Sequence, residues 1–176
     1  MTAERLQRHW VLAANLAVAV FLALPILAPV LLAAGFDTPA NWIYAAYHSV
    51  CHQWAFRSYF LFGSEVTYDR AVLAGLVGHE SVFTFVGSPD LGYKVAFCER
   101  DLAIYASVLL AGLGYAWKRG QISALGFSGY LLLIAPMALD GFTQLFNLRE
   151  STPELRTFTG ALFGVASVWL IYPRVD

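Results

Sequence analysis

Four runs of apolar residues alternate with polar segments along the chain. The first is uncharged and contains 25 residues, which as a helix would be about 37 Å long against a hydrocarbon core of about 30 Å. Thr152 and Pro153 are typical of the N-cap and first turn of the last run. The pattern predicts four transmembrane helices, at about residues 10–34, 98–117, 122–146 and 153–172.

The pattern is less regular between the first and second spans. Segments 41–62 and 71–87 are apolar, but polar residues such as His52 and Glu80 interrupt them. We interpret both as helices that lie at the membrane interface or dip into it, and a true span in this region is the competing topology. The predicted fold is an all-α membrane protein with a single domain over residues 1–176. It is a bundle of about four transmembrane helices with one or two additional interfacial or re-entrant helices.

The composition supports a membrane protein. The chain is 59% hydrophobic and 13% charged, and its mean hydropathy of +0.60 is too high for a soluble domain of 176 residues. The net charge of −1 and the absence of a basic run exclude a nucleic-acid partner. The first apolar run is longer than the roughly 7–15 residues of a signal-peptide core, so we expect a retained span in the lipid bilayer.

Lysine and arginine positions predict the orientation. The totals on the two predicted sides are similar, but Arg5, Arg8, Lys118 and Arg119 lie directly against span ends, where the positive-inside rule has most force. We therefore predict a multi-pass protein of the inner (plasma) membrane with both termini in the cytoplasm. In this topology four polar segments, at residues 48–52, 98–101, 140–144 and 149–152, all lie on the outer side, which predicts a functional site there.

Two cysteines are the first candidates for that site. Cys51 and His52 with Cys98 and Asp101 would supply four ligands of the types that zinc accepts. Two alternatives stay open at this point. Cys51 and Cys98 would form a disulfide in an oxidising compartment, or they are two unrelated buried thiols.

Asp140 and the arginines near the last span are the second candidates. An ionisable residue at membrane depth is usually functional, so Asp140 is a candidate acid or base, metal ligand or ion-coupling group. The alternative is a structural Asp–Arg pair that ties helices together. Arg149 and Arg156 flank a helix N-terminus, where they would bind a phosphate or carboxylate, or else extend to lipid headgroups. The candidate catalytic residues are therefore Asp140, Arg149, Glu150 and Arg156.

With these residues in view, the chain resembles a family of small bacterial and archaeal membrane proteins of unknown function. The resemblance runs from about residue 51 to the C-terminus. It implies that many members carry Cys at the position of Asp101, an exchange that suits a metal ligand and that a disulfide partner does not allow. It implies no activity, substrate or cofactor. The shared motifs are Cys51-His52-Gln53, Cys98-Glu99-Arg100-Asp101, Asp140-Gly141-Phe142-Thr143-Gln144 and Arg149-Glu150-Ser151.

Our first hypothesis is a membrane protein with a zinc site at the outer face. It would be a metal-dependent hydrolase or transferase that acts on an anionic, lipid-linked substrate, with Asp140 as acid or base and arginines that orient the substrate. One alternative is a non-enzymatic accessory subunit, with other membrane subunits or a second copy as partners and the cysteine site as a structural clamp. Another is a small transporter that uses Asp140 for ion coupling.

Overall fold

The structure of the protein is a computed structural model. It describes residues 3–146 and 148–176, with side chains from residue 9 onward. The side chains of Arg5 and Arg8, which contribute to the predicted orientation, therefore lie outside the described part of the chain.

The described chain is mostly helical. Short 3-10 turns cover Ala55–Arg57 and Ser81–Phe83, and three strands of two or three residues are also present, which the sequence pattern did not predict. The helices are α1 (Ala3–Ala33), α2 (Asp37–Tyr47), α3 (Arg70–Val77), α4 (Glu99–Trp117), α5 (Phe127–Leu145) and α6 (Pro153–Val175), and the strands are β1 (Phe60–Leu61), β2 (Gly87–Ser88) and β3 (Gly92–Lys94).

Among the described residues, two helices are long and apolar enough to cross a membrane. They are His9–Ala33, with a mean hydropathy of 2.7, and Pro153–Val175, with a mean hydropathy of 1.3. They coincide with the first and last predicted spans. Helices α4 and α5 occupy the other two predicted spans and have 19 residues each, about 28 Å of helix. Charged residues at the start of α4 and inside α5 reduce their apolar character, and the four-span bundle stays a prediction.

The two predicted interfacial helices are much shorter than expected. In segment 41–62 the helix ends at Tyr47, and further along Gln53 has a φ of 54°, a left-handed conformation that no α-helix accommodates. In segment 71–87, α3 ends at Val77 because Gly78 has a φ of 93°. Turns and short strands occupy the rest of both segments.

The chain divides into two compact units, whereas the sequence favoured a single domain. Unit 1 comprises residues up to Phe21 together with Leu102–Asp176, and unit 2 comprises Leu22–Asp101. Each is described here by itself, and the single membrane domain stays a prediction.

Two glycines set the close approach of helices in unit 1. A Cβ at Gly112 would lie 2.1 Å from Oδ1 of Asn15, and a Cβ at Gly164 would lie 2.0 Å from Oγ of Ser107. The beginning of α1 also meets the end of α6, where the rings of Trp10 and Tyr172 pack edge to face. The start of α1 and the C-terminal ends of α4 and α6 therefore lie together.

Unit 2 is built around a small antiparallel sheet. Its strand order is β1-β3-β2, with Phe60 opposite Lys94 and Gly87 opposite Tyr93. An apolar cluster that includes Phe56, Phe60, Tyr68, Leu73 and Val82 packs in the same unit. This packing holds the segment that follows α2 and the segment that precedes α4.

Candidate functional site

Cys51, Cys98 and Asp101 meet in unit 2 and form what we call the cysteine cluster. One ligand atom of each lies within 4.8 Å of the other two. The Cys98 thiol donates to Oδ2 of Asp101 at 3.1 Å, and the backbone N–H of Cys98 donates to Sγ of Cys51 at 3.2 Å. Cys51 is buried and Cys98 is partly buried, and no disulfide joins them. The cluster thus holds two thiols and a carboxylate at one point.

Local structure explains the positions of the three residues. Cys98 directly precedes α4 and Asp101 lies in its first turn, so a spacing of three places both on the same helical face. Cys51 lies in the turn after α2, where its N–H donates to the carbonyl of Tyr47 at 3.0 Å. The tertiary packing of unit 2 then brings this turn to the start of α4.

Lys94 fixes the turn that carries Cys51. Its side chain is 2% exposed, and Nζ donates to the carbonyl of Gln53 at 2.6 Å. The Gln53 side chain donates to the carbonyl of Tyr44 at 2.9 Å, and the Tyr44 hydroxyl donates to the carbonyl of Lys94. These three bonds link β3, the Cys51 turn and α2 in a closed ring.

The groups of this region have altered acidities. Burial lowers the pKa of Lys94 from 10.5 to about 8, although the nearby Cys51 opposes the change. The hydrogen bond with Cys98 lowers the pKa of Cys51, and the same bond together with burial raises the pKa of Cys98 well above its usual value. The Cys98 proton faces two acceptors, the Cys51 sulfur and the Asp101 carboxylate. Without a bound cation, Cys98 therefore keeps its proton, which it donates to Asp101.

His52 is not part of the cysteine cluster among the residues that the structure describes. Its side chain is exposed, and its ring contacts Trp54 at a centroid distance of 5.7 Å. The structure brings together three of the four predicted metal ligands, and the role of His52 stays a prediction. Lys94 was missed from the sequence, although a single lysine between apolar neighbours was a visible signal.

Asp140 forms a second cluster, in unit 1, which we call the Asp140 cluster. Its side chain is 1% exposed. Oδ1 accepts a hydrogen bond from the Arg149 guanidinium at 2.7 Å, and Oδ2 accepts from Oγ of Ser151 at 3.0 Å and from Nε2 of Gln144 at 3.2 Å. The bonds join the end of α5 to the segment before α6, which matches the structural alternative for Asp140.

The other predicted residues of this region have different surroundings. Arg156 is buried and donates to the carbonyl of Ser151, so it supports the same segment. Glu150 is exposed, and 42% of the Arg149 side chain is accessible. Thr152 caps α6 by accepting the N–H of Leu155 at 3.3 Å, as predicted. The proposed catalytic roles of these residues stay predictions. The convergence of the four polar segments on one side of the membrane also stays a prediction.

The described chain is thus mostly helical, with two helices that are long and apolar enough to cross a membrane. The family described as "Predicted membrane protein (DUF2085)" matches residues 90–170. An uncharacterized protein of Methanocaldococcus jannaschii, MJ1492, is 33% identical over 133 residues, which cover 74% of this chain and 67% of the relative. The chain belongs to this family of predicted membrane proteins of unknown function, which confirms the resemblance seen in its motifs. No solved structure matches the chain.

Proposed function

We propose that this membrane protein binds a zinc ion through Cys51, Cys98 and Asp101. The observation that carries the proposal is the meeting of the three side chains, because Cys51 and Cys98 are 47 positions apart in the sequence. Two thiolates and a carboxylate are ligands that zinc accepts. A local motif alone would not place all three together.

The geometry and charge of the cysteine cluster fit such an ion. Tetrahedral zinc with bonds of about 2.0–2.3 Å would place its ligand atoms roughly 3.3–3.8 Å apart. The atoms in the cluster lie within 4.8 Å of one another, so none has to move closer to another by more than about 1.5 Å, which side-chain rotations cover. Two thiolates and one carboxylate carry three negative charges, which a divalent ion and the nearby Lys94 ammonium would balance.

We further propose that α1, α4, α5 and α6 cross the plasma membrane as a four-span bundle with cytoplasmic termini. Support comes from unit 1, where the start of α1 packs against the C-terminal ends of α4 and α6. Lys118 and Arg119 follow α4, and Arg174 lies in the last turn of α6. Basic residues at one end of a bundle favour a cytoplasmic location for that end.

The chemistry of the site has two candidate uses. With three protein ligands, zinc keeps a fourth position, and when bound it supplies a water of lowered pKa for hydrolysis. Our catalytic hypothesis is hydrolysis or transfer on an anionic, lipid-linked substrate. The second candidate is an accessory subunit of a membrane complex in which zinc clamps the Cys51 turn to the start of α4. Two observations favour the clamp. Cys51 is only 6% exposed, and Asp140, the acid or base of the catalytic hypothesis, already accepts hydrogen bonds at both of its oxygens.

Elemental analysis of the detergent-purified protein tests zinc binding. We expect one zinc ion per chain in the wild type and loss of zinc in Cys51→Ser and Cys98→Ser. Asp101→Cys should keep zinc because it replaces the carboxylate with a thiolate, which zinc also accepts. His52→Ala should lose zinc only if the predicted fourth ligand binds, and His79→Ala, an exposed histidine of the same unit, is the matched control that should keep it. Circular dichroism and size-exclusion chromatography check that each variant folds. A wild type without metal, whose thiols react only after reduction, would overturn the proposal in favour of a disulfide.

A chelator then separates the two uses of the ion. For the clamp, removal of zinc should lower the unfolding temperature, and no hydrolysis of lipid phosphates should appear in the zinc-loaded protein. For the enzyme, hydrolysis should appear with zinc and disappear in Asp140→Asn, while zinc content stays unchanged. Zinc-loaded protein that shows neither effect would rule out both uses.

A further inference from the structure

An apolar groove lies within unit 1, between the C-terminal parts of α4 and α6. Its volume is about 470 Å³, within the range of about 300–1,000 Å³ that is typical of ligand sites. Ala111, Gly114, Trp117, Lys118, Val165 and Trp169 are among its lining residues. The groove is remote in sequence from the cysteine cluster and is not used by the proposed zinc site.

Gly114 leaves the groove open. A Cβ added at Gly114 would meet nothing within 4 Å, in contrast to Gly112 and Gly164, whose missing side chains allow other helices to approach. The space above Gly114 is therefore not filled by the protein. A substitution at this position can fill the groove without displacing a neighbouring helix.

One end of the groove is positively charged. Its described lining includes Lys118 and no acidic residue. The next residue, Arg119, is engaged by Asp176, with Nε of Arg119 at 2.7 Å from Oδ1 and 3.0 Å from Oδ2. Lys118 is exposed and is therefore the cation that the groove offers to a ligand.

Two tryptophans mark the same end of the groove. Trp117 is 85% exposed, and Nε1 of Trp169 donates to the carbonyl of Ser123 at 3.0 Å. Tryptophan is enriched at the level of lipid headgroups, where its ring is apolar on one side and hydrogen-bonded on the other. The groove is therefore apolar along its length and has two tryptophans and a lysine at one end, which complements the apolar chain and charged headgroup of a phospholipid.

We infer that this groove binds one anionic glycerophospholipid, with an acyl chain along the apolar lining and the phosphate at Lys118. The charge of Lys118 selects an anionic headgroup over a zwitterionic one, because the described lining provides no carboxylate to bind a choline or ethanolamine cation. The inference is independent of the proposed zinc site, so either can fail without the other.

Native mass spectrometry tests the lipid site on the full-length protein. Protein in detergent is mixed with equal amounts of phosphatidylglycerol and phosphatidylcholine, and the lipid retained on each chain is identified. We expect the wild type to retain phosphatidylglycerol preferentially. Lys118→Ala should reduce this retention about fivefold, the effect expected for one lysine at a membrane surface, and Lys118→Arg should preserve it.

Gly114→Leu tests the groove itself. It should abolish the preference for phosphatidylglycerol by filling the space for the acyl chain. Gly75→Leu in α3 is the matched control, because a Cβ at that helical glycine also meets nothing within 4 Å. Equal retention in the two leucine variants would overturn the inference. A second result would also overturn the inference: a wild type that retains no lipid and forms a dimer, which Gly114→Leu dissociates. The groove would then bind a second copy of this chain.

Discussion

Lys94 holds an ionisable group in a place that excludes water, and its titration should affect stability. The pKa of Lys94 is lowered to about 8 by burial, against 10.5 for an ordinary lysine. Between these two values the unfolded chain binds a proton at this lysine and the folded chain does not. Folding therefore releases a proton, and the free energy of unfolding should increase as the pH rises from 8. Below pH 8 both states bind the proton, and the full cost of burying the charge is present.

The size of the effect follows from the two pKa values. The difference between about 8 and 10.5 corresponds to about 3 kcal/mol at 1.36 kcal/mol for each pH unit. Burial raises the pKa of Tyr44, and this opposes further stabilisation above pH 10. The raised pKa of Cys98 opposes this gain over part of the same range. Between pH 8 and 10 we therefore expect Lys94 to contribute about 2 kcal/mol, measured as the difference between the wild type and Lys94→Met. For a chain of this size this gain corresponds to an increase in Tm of roughly 4–8 °C.

Thermal unfolding in detergent, with chelator and reductant present, measures this pH dependence. Lys94→Met removes the titrating group and keeps an apolar side chain of similar length, so its Tm should lack the increase attributed to Lys94. Lys94→Arg keeps a charge throughout the window and should be less stable than the wild type at pH 10. The same change in Tm from pH 8 to 10 in wild type and Lys94→Met would refute the reasoning.

Three further predictions concern unit 1, and unfolding in detergent measures each. Asp140→Ala should lower the free energy of unfolding by about 3 kcal/mol, because Asp140 is buried and accepts several charged hydrogen bonds. Arg149→Ala should lower it by about 2 kcal/mol, because Arg149 is partly exposed. If the two losses simply add in the double variant, the two residues are not coupled and the prediction is wrong. Gly164→Ala should cost about 1–3 kcal/mol because its Cβ would lie 2.5 Å from a backbone oxygen of α4, whereas Gly114→Ala should be neutral or stabilising. Thr152→Ala should cost about 1 kcal/mol through loss of the α6 cap, and Thr152→Ser should restore it.

The helical part of the fold was predictable because its signals are local. The uncharged first run and the Thr152–Pro153 start predicted α1 and α6 closely. The strands of unit 2 have two or three residues, too few to show an alternating pattern. The pairing of β1 with β3 also joins distant parts of the chain. Sequence periodicity could not reveal them, and the segments around them were predicted as longer helices.

In the candidate sites, too, the features that depend on neighbouring residues were predictable and those that depend on tertiary packing were not. The spacing of Cys98 and Asp101 on one helical face is a local property and was visible in the sequence. The approach of Cys51 to Cys98 and Asp101 depends on the packing of unit 2, and the sequence supported it only as a hypothesis. Adjacent residues point in different directions, so Cys51 can be buried in the cluster while His52 is exposed. Ser151 stood out in the sequence only as part of a shared motif, and its hydrogen bond to Asp140 is an interaction that only the tertiary structure defines.

The order of the cysteine cluster along the chain has a consequence for biosynthesis. Cys51 is synthesised 47 residues before Cys98, which at about 5–20 residues per second is a delay of roughly 2–9 s. Lys94, which fixes the Cys51 turn, is also made late. Throughout this interval the Cys51 sulfur lacks the Cys98 N–H that donates to it in the folded chain. The nascent chain therefore passes through a stage in which this thiol is open to oxidation or to a chaperone, and completion of the segment through Asp101 ends that stage.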